Sequence, residues 1–259
     1  MPFGWMLVPI EKTFRDNELK KVSLVLCYPN PTEREVSSRI EELRTLGVEA
    51  LVFRGRTNLF GTPVLGKGHV GIVVAAKHKD SEVALKIRRV DADRETMRRE
   101  AELLKKANNI SVGPKLLGCT DNFLLMELVE GKNMQEWLRE EKKAEEVRLV
   151  LRDLIEQCRR LDEEGIDHGE LSKAHKHVVI TASNQIRIID FETASMLRRP
   201  SNVTSIAHYI FFHKKNSQAA QKTLGEIDLE QLQTKLRTYK KEPTEKNLKT
   251  ILTTTRLQT

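Results

Sequence analysis

The most informative feature of this chain is the stretch Leu65-Gly66-Lys67-Gly68-His69-Val70-Gly71-Ile72-Val73, followed by Val83-Ala84-Leu85-Lys86-Ile87. Its β-branched residues favour two strands joined over a glycine-rich turn. Glycines in such a turn let backbone N–H groups approach phosphate groups closely, and the lysine on the following strand would reach the same phosphates. The pattern therefore predicts a nucleotide site.

Two other known types of phosphate-binding loop have sequence patterns similar to this stretch. Residues 61–68 nearly match G-x-x-x-x-G-K-[ST], but the last position is Gly68, which has no hydroxyl for a magnesium ion. That loop and the dinucleotide-binding G-x-G-x-x-G must each open a helix, whereas residues 70–76 favour a strand. A glycine turn with a purely structural role remains the other alternative.

The segment after the lysine predicts a helix that supplies an acidic partner. Residues 93–107 have apolar positions at helical spacing, and Glu100 and Glu102 lie on other faces. Glu100 precedes the core-facing leucines and is the preferred partner of Lys86. Glu102 is the competing candidate.

Two short strands are predicted next, over residues 114–118 and 122–126. The second runs into the extended segment Met126-Glu127-Leu128-Val129-Glu130-Gly131, which would offer its backbone to an adenine edge. In this interpretation the segment is a hinge between two lobes, with Met126 at the back of the nucleotide pocket. The alternative is an ordinary buried strand with its exit turn.

A long amphipathic helix over residues 145–164, ended by Gly165, leads into a loop rich in polar residues. The loop reads Ile166-Asp167-His168-Gly169-Glu170-Leu171-Ser172-Lys173-Ala174-His175-Lys176-His177. Strands over residues 177–181 and 185–189 follow, and the second ends in Asp190-Phe191-Glu192. This order predicts a catalytic loop and a hairpin that presents a metal-binding aspartate.

Taken in order, the motifs of residues 59–195 resemble those of the protein kinase superfamily. They are most similar to small, atypical archaeal Ser/Thr kinases and to RIO-type and KEOPS-type kinases, whose catalytic loop reads H-G-D-L. The resemblance implies an α+β, two-lobed fold, with an antiparallel-sheet N-lobe and a reduced, mostly helical C-lobe.

The resemblance also implies the cofactors, ATP with Mg²⁺ or Mn²⁺, and the roles of individual residues. Lys86 would hold the phosphates, Glu100 would orient Lys86, Glu170 would be the catalytic carboxylate and Asp190 would bind the metal. The expected cofactor-binding residues are Gly66, Gly68, Gly71, Val73, Ala84, Lys86, Met126, Glu127 and Val129.

Two departures from the family pattern concern the metal and the base. Glu170 replaces the family's aspartate and is one methylene longer, and Asp167 is an alternative base. His175 stands where the metal-binding asparagine is expected, unless the loop has two extra residues, in which case His177 fills that place. Histidine suits manganese better than magnesium.

Three regions are predicted: a strand–helix–strand extension (1–58), an N-lobe (59–130) and a C-lobe (131–259). In the extension, residues 22–27 and 48–53 would be strands and residues 33–46 a helix that begins with a capping box at Thr32. In the C-lobe, residues 202–212 and 225–239 would be helices.

Composition limits the remaining possibilities. The 259 residues carry a formal net charge of +7 and only three cysteines, which lack a metal-binding spacing. We therefore expect a reduced, cytoplasmic protein with no membrane contact, although RNA or ribonucleoprotein is a possible partner of so basic a chain. The predicted function is phosphoryl transfer from ATP to serine or threonine of an unidentified protein. The alternative is a nucleotide-binding pseudokinase or ATPase switch that docks on a partner.

Overall fold

The computed structural model describes residues 6–10 and 16–258, which form two compact units. The first unit contains residues 1–105 and 114–128, and the second contains residues 106–113 and 129–259. The predicted boundary at residue 58 stays a prediction, and residues 1–5 and 11–15 of that predicted region lie outside the described part.

The first unit is built on an antiparallel sheet in the order β1-β2-β6-β7-β9-β8, with β5 paired to β6. Its strands, including the separate hairpin β3–β4, are β1 (Met6–Pro9), β2 (Val48–Phe53), β3 (Thr57–Leu59), β4 (Thr62–Val64), β5 (Gly66–Lys67), β6 (Gly71–His78), β7 (Ser81–Arg88), β8 (Leu116–Cys119) and β9 (Phe123–Glu127). Its helices are α1 (Asp16–Leu26), α2 (Glu33–Thr45) and α3 (Arg98–Asn109), the last of which ends in residues assigned to the second unit.

The strands β6, β7 and β9 bury one face in an apolar core. Because side chains alternate between faces, every second residue of these strands points the same way. The residues that enter the core are Ile72, Val74, Ala76, Val83, Leu85, Ile87, Phe123 and Leu125, together with residues of α1, α2 and β2. The intervening residues, among them Lys86, occupy the opposite face of these strands.

The prediction of a strand over residues 22–27 is wrong, because this segment is the end of α1. Val22, Val25 and Leu26 are buried at helical spacing, i, i+3 and i+4. A short apolar run does not distinguish a buried strand from a buried helix face. The predicted helix and second strand are confirmed, since α2 begins after Thr32 and β2 covers residues 48–53. Of the predicted capping box, one half is present, because the Thr32 hydroxyl accepts a hydrogen bond from Glu35 N, whereas the Glu35 carboxylate accepts from Arg39 Nε.

The second unit is mostly helical. Its helices are α4 (Met134–Leu138), α5 (Ala144–Glu163), α6 (Ala174–His177), α7 (Asn202–Phe211), α8 (Lys214–Leu224), α9 (Leu229–Lys241) and α10 (Glu245–Thr254), with a 3₁₀ turn at Leu171–Lys173. A small antiparallel sheet has the order β10 (Lys132–Asn133), β11 (Val178–Ile180) and β12 (Ile186–Ile188). Helix α5 packs against α7 and α8, and Gly165 ends it in a left-handed conformation (φ 77°).

The chain thus combines an antiparallel-sheet part with a helical part, so the predicted α+β class is confirmed. Two helices after residue 190, α8 and α10, were not predicted. Among the described residues, no helix is both long and apolar enough to cross a membrane.

Candidate active site

The glycine-rich segment forms the predicted hairpin. Strand β5 pairs with β6, with Gly66 opposite Val73, and Gly68 N donates a 2.8 Å hydrogen bond to Gly71 O across the turn. A strand follows the turn, and the helix required by the two alternative phosphate loops is not formed there. A Cβ on Gly71 would lie 3.0 Å from Ile87 O and 3.1 Å from Lys86 Cγ, so glycine is needed for the close passage of Lys86.

Lys86 and Glu100 form an ion pair inside the first unit. Lys86 Nζ donates to both carboxylate oxygens of Glu100, at 2.8 and 3.0 Å, and the two residues are only 4% and 2% exposed. Helix α3 turns Glu100 inward, whereas its competitor Glu102 is exposed. The charges are therefore paired and largely removed from water.

The face of the sheet opposite the core carries several of the residues predicted to bind a cofactor. Val73 lies opposite Lys86, and Ala84 lies opposite Met126, so these four side chains share that face. Three of the four are apolar and the fourth is the paired lysine. The face thus places a cation beside an apolar surface.

The two remaining predicted residues of this group are Glu127, the last residue of β9, and Val129, which lies two residues beyond it. Glu127 uses its N–H within the sheet, because it donates to Lys115 O at 2.8 Å, and its carboxylate accepts from Lys115 N at 3.0 Å. Val129 is half-buried and belongs to the second unit. Their proposed contact with adenine stays a prediction.

In the second unit, the loop at 166–170 is fixed by hydrogen bonds at its base. Asp167 and Ser195 exchange two 2.9 Å backbone hydrogen bonds, and the buried Asn202 at the start of α7 accepts from His168 N at 2.9 Å. Asn202 Nδ2 also donates to Ile166 O at 2.7 Å. These contacts position Glu170 without involving its own side chain.

His168 is buried beneath this loop and is a neutral positioning group. Burial lowers its pKa from 6.5 to about 4, with a further contribution from His177. Its Nε2 lies 3.1 Å from Ile189 O, which can only accept, so the proton must be on Nε2. The ring therefore connects the loop to the residue that precedes Asp190.

Glu170, His177 and Asp190 converge. One ligand atom from each lies within 4.8 Å of the others, and this is the one such group of three among the described residues. His177 Nε2 is 3.6 Å from Glu170 Oε2, and His177 Nδ1 is 3.6 Å from Asp190 Oδ2. Two carboxylates and an imidazole are a donor set that a divalent cation such as Mn²⁺ accepts.

The protonation and hydrogen bonding of His177 are suited to binding a cation. Burial lowers its pKa below 6.5, and the nearby carboxylates of Asp190 and Glu170 oppose that shift only in part. Its Nδ1 is buried and has no hydrogen-bond partner within 16–258 and the short segment at 6–10. A neutral imidazole with an unsatisfied nitrogen beside two carboxylates is suited to binding a cation.

His175, the other predicted metal ligand, is not part of this group. Helix α6 directs its ring onto Tyr209, with ring centroids 6.0 Å apart and an angle of 20° between the planes. Residues two positions apart on a helix point in directions that differ by about 200°, which is nearly opposite. Only one of the two histidines can therefore face Asp190. His177, and not His175, lies beside Asp190 and Glu170, and a metal-binding role for either histidine stays a prediction.

Asp167, the alternative base, is held by another partner. Arg198 Nε donates to its Oδ2 at 2.7 Å, and the residue is 7% exposed. Glu170 is more accessible, and its Oε1 lies 3.4 Å from Lys173 Nζ. Glu170 is thus the better placed of the two carboxylates for contact with a substrate.

The backbone of Asp190 is unusual, since its φ is 68°. A non-glycine residue in the left-handed region is uncommon and is concentrated at functional sites. Phe191, directly after it, is buried and packs edge-on against His168 at 5.2 Å. This packing anchors the strained residue.

Sequence reasoning missed three contributions to this region. Glu170 lies within 4.8 Å of His177 and Asp190, Asn202 fixes the loop backbone, and Arg198 pairs with Asp167. Only the contribution of Glu170 could have been found from the sequence, because its side chain is one bond longer than that of the aspartate in the family pattern. The other two depend on α7 and the preceding segment folding back onto the loop.

Comparison with known proteins agrees with this geometry. No curated protein matches the chain. Residues 62–246, more than two thirds of the 259 residues, match the family model of the protein kinase domain. This match supports a kinase-type phosphotransfer function, and it gives no support to the predicted RNA or ribonucleoprotein partner. The chain belongs to the protein kinase family.

Proposed function

We propose that this protein is an ATP-dependent kinase that transfers the γ-phosphoryl group to serine or threonine residues of a protein. The observation that carries the proposal is the Lys86–Glu100 pair, joined at 2.8 Å and almost fully buried. Removing two charges from water costs free energy, and a buried ion pair is often no more stabilising than apolar residues of similar volume. Its presence is better explained by a need to fix the Lys86 ammonium for contact with phosphate oxygens.

The surroundings of Lys86 support a nucleotide as the ligand. Val73, Ala84 and Met126 share its face of the sheet, and apolar side chains of this size suit the flat surface of a base. The glycine-rich turn supplies backbone N–H groups for phosphates. One ligand with a ring and a phosphate chain would satisfy both features.

Protein kinases use ATP together with a divalent cation. The group of Glu170, His177 and Asp190 fits such a cation, on the evidence of its donor set and the unsatisfied His177 Nδ1. Asp190 and His177 would hold the ion. When bound, the ion neutralises negative charge on the phosphates.

Glu170 is the proposed base. During transfer, the substrate hydroxyl loses its proton to the Glu170 carboxylate while its oxygen bonds to the γ-phosphorus and the bond to the β-phosphate oxygen breaks. Lys173 Nζ lies 3.4 Å from Glu170 Oε1 and places a positive charge beside this carboxylate. The H-G-E-L loop and the reduced helical part also support the subtype, a small atypical kinase related to the RIO-type and KEOPS-type enzymes.

Radiolabelled ATP incubated with the purified protein, alone and with cell extract, tests the proposal. Label on serine or threonine that is lost in Glu170→Gln would support it. Release of free phosphate without labelled protein would indicate an ATPase, and neither product would indicate a pseudokinase. Label on another residue type would overturn the proposed specificity.

A further inference from the structure

Tyr28 lies well before the matched kinase domain, which starts at residue 62, yet it contacts the glycine-rich hairpin. We infer that Tyr28 is a positioning residue that sets the affinity of the protein for the phosphates of its nucleotide. The inference rests on the proposed nucleotide-binding function and goes beyond it, because it gives the N-terminal segment a part in the site.

Tyr28 contacts Lys67, a residue of the glycine-rich segment, in two ways. Lys67 Nζ donates a 2.6 Å hydrogen bond to Tyr28 Oη, and the same nitrogen lies 4.3 Å from the centre of the tyrosine ring. A cation at this distance from a ring is attracted to its face. Lys67 is the residue of β5 directly before the turn at 68–70, so the contact holds one arm of the hairpin.

The same ring supports the other residue that holds the turn. Arg89 N donates to Val70 O at 2.8 Å, and Arg89 Nη1 donates to Gly68 O at 3.3 Å. The guanidinium carbon of Arg89 lies 5.1 Å from the centre of the Tyr28 ring. Lys67 and Arg89, the two cations that restrain the turn, therefore both contact the ring of Tyr28.

Tyr28 is itself held firmly. Its carbonyl accepts a 2.9 Å hydrogen bond from Val90 N, and its ring centroid is 5.9 Å from that of Phe60. It follows Cys27, which is completely buried in the core of the first unit. These contacts attach Tyr28 to the rest of the first unit.

The physical consequence concerns the entropy of the turn. A segment with glycine at 66, 68 and 71 has many backbone conformations, and ordering its residues costs conformational entropy. A turn that is already restrained by Lys67 and Arg89 loses less entropy when phosphates bind. Removal of the Tyr28 ring should therefore weaken phosphate binding selectively, while contacts to the base should be unaffected.

The test uses the full-length protein and compares two ligands, ADP and adenosine, by calorimetry. Tyr28→Ala is expected to weaken ADP binding by about tenfold and Tyr28→Phe by about threefold, since phenylalanine keeps the ring and loses only the hydroxyl. Adenosine, which has no phosphate, should bind all variants equally. A purely structural role of Tyr28 would weaken both ligands together.

Lys67 allows a sharper comparison. If the hydroxyl acts through Lys67, Tyr28→Phe should have no further effect on ADP binding in a Lys67→Met protein. Lys77→Met, which removes the same charge at the far end of β6, is the matched control and should bind ADP as wild type does. Because Lys67 is exposed, the comparison of Lys67→Met with Lys77→Met remains informative even if Tyr28→Ala does not fold.

The outcomes are distinguishable. Equal ADP affinity of the wild type, Tyr28→Ala (or Tyr28→Phe if the alanine variant is unfolded) and Lys67→Met would overturn this inference and leave the proposed function intact. Parallel loss of ADP and adenosine binding would also overturn it. A wild-type protein that binds no ADP would overturn both the inference and the proposed function.

Discussion

Nδ1 of His177 lies 3.6 Å from Oδ2 of Asp190. The backbone causes this proximity, since β11 and β12 pair in antiparallel register and Ile189 N donates to His177 O at 2.8 Å. His177, directly before β11, is thereby held beside Asp190, which lies two residues after the end of β12. A histidine in this place makes the proposed cation site different from one built of oxygen ligands alone.

The first prediction concerns the identity of the cation. His177→Asn is expected to shift the preference from Mn²⁺ toward Mg²⁺, because an amide oxygen suits magnesium and an imidazole nitrogen suits transition metals. Calorimetric titration of each cation with ADP present, and phosphotransfer with each cation, measure this. His175→Asn is the control and should keep the wild-type preference. An unchanged preference in His177→Asn would remove His177 from the site.

The second prediction concerns the base. Glu170→Gln should lower the rate of phosphotransfer by about 100-fold or more, since proton transfer by a positioned group typically contributes 10²–10⁴-fold. Its ADP affinity should stay near that of wild type. Asp167→Asn should have a much smaller effect on the rate, because Asp167 is bound to Arg198. The reverse pattern in steady-state kinetics would make Asp167 the base.

The third prediction concerns the buried ion pair. Lys86→Met or Glu100→Leu alone should destabilise the protein by about 3–5 kcal/mol, because each removes one member of a buried ion pair. The double variant should recover much of that free energy of unfolding in denaturant titrations, yet it should not regain ADP binding. Recovery of both properties would mean that the pair serves stability and not the nucleotide.

The fourth prediction concerns pH and His168. Because its folded-state pKa is about 4 and its ordinary value is 6.5, the unfolded chain binds the proton more readily. Stability is therefore complete above about pH 6.5 and is lost as pH falls toward 4, by about 3 kcal/mol from this group. Denaturant titrations with a chelator present should show a shallower pH dependence in His168→Phe.

His69→Phe is the matched control for this measurement, since His69 is exposed. Its pH dependence between 6.5 and 4 should equal that of wild type. If His168→Phe keeps the full wild-type slope, another group is responsible for the loss of stability in acid.

The fifth prediction compares two glycines of the hairpin. Gly71→Ala should destabilise the protein by about 1–3 kcal/mol, because the added Cβ meets Ile87 O and the side chain of Lys86. Gly66→Ala should leave stability nearly unchanged, since its Cβ would meet no atom within 4 Å. Thermal unfolding of the two variants measures the difference, and equal destabilisation would contradict the described approach of Lys86.

Local patterns were sufficient for much of the fold. The cap at Thr32, the glycine after α5 and the alternating strands around Lys86 each have a physical cause within a few residues of the chain. The segment at 22–27 was misread because its apolar run fits both a strand and a helix. Helix α8 was missed because its buried residues, Asn216, Ser217, Ala220 and Leu224, include only one large apolar side chain.

The candidate site was predictable to a similar extent. The pairing of Lys86 with Glu100, in preference to Glu102, follows from which face of α3 is buried. Which of His175 and His177 faces Asp190 depends on the short helix α6. No capping residue or periodic pattern in the sequence indicates this helix. The contribution of Tyr28 depends on a contact between residues 39 positions apart, and such a contact has no local signal.

Calorimetric titration with ADP, in the presence of Mn²⁺ and then of a chelator, tests the central claim most directly. Wild type should bind ADP, and the cation should increase its affinity. Lys86→Met should weaken ADP binding at least several-fold, and Asp190→Asn should remove the dependence on the cation. Wild-type binding in both variants, with an unchanged response to the cation, would contradict the proposal that Lys86 and Asp190 serve a nucleotide.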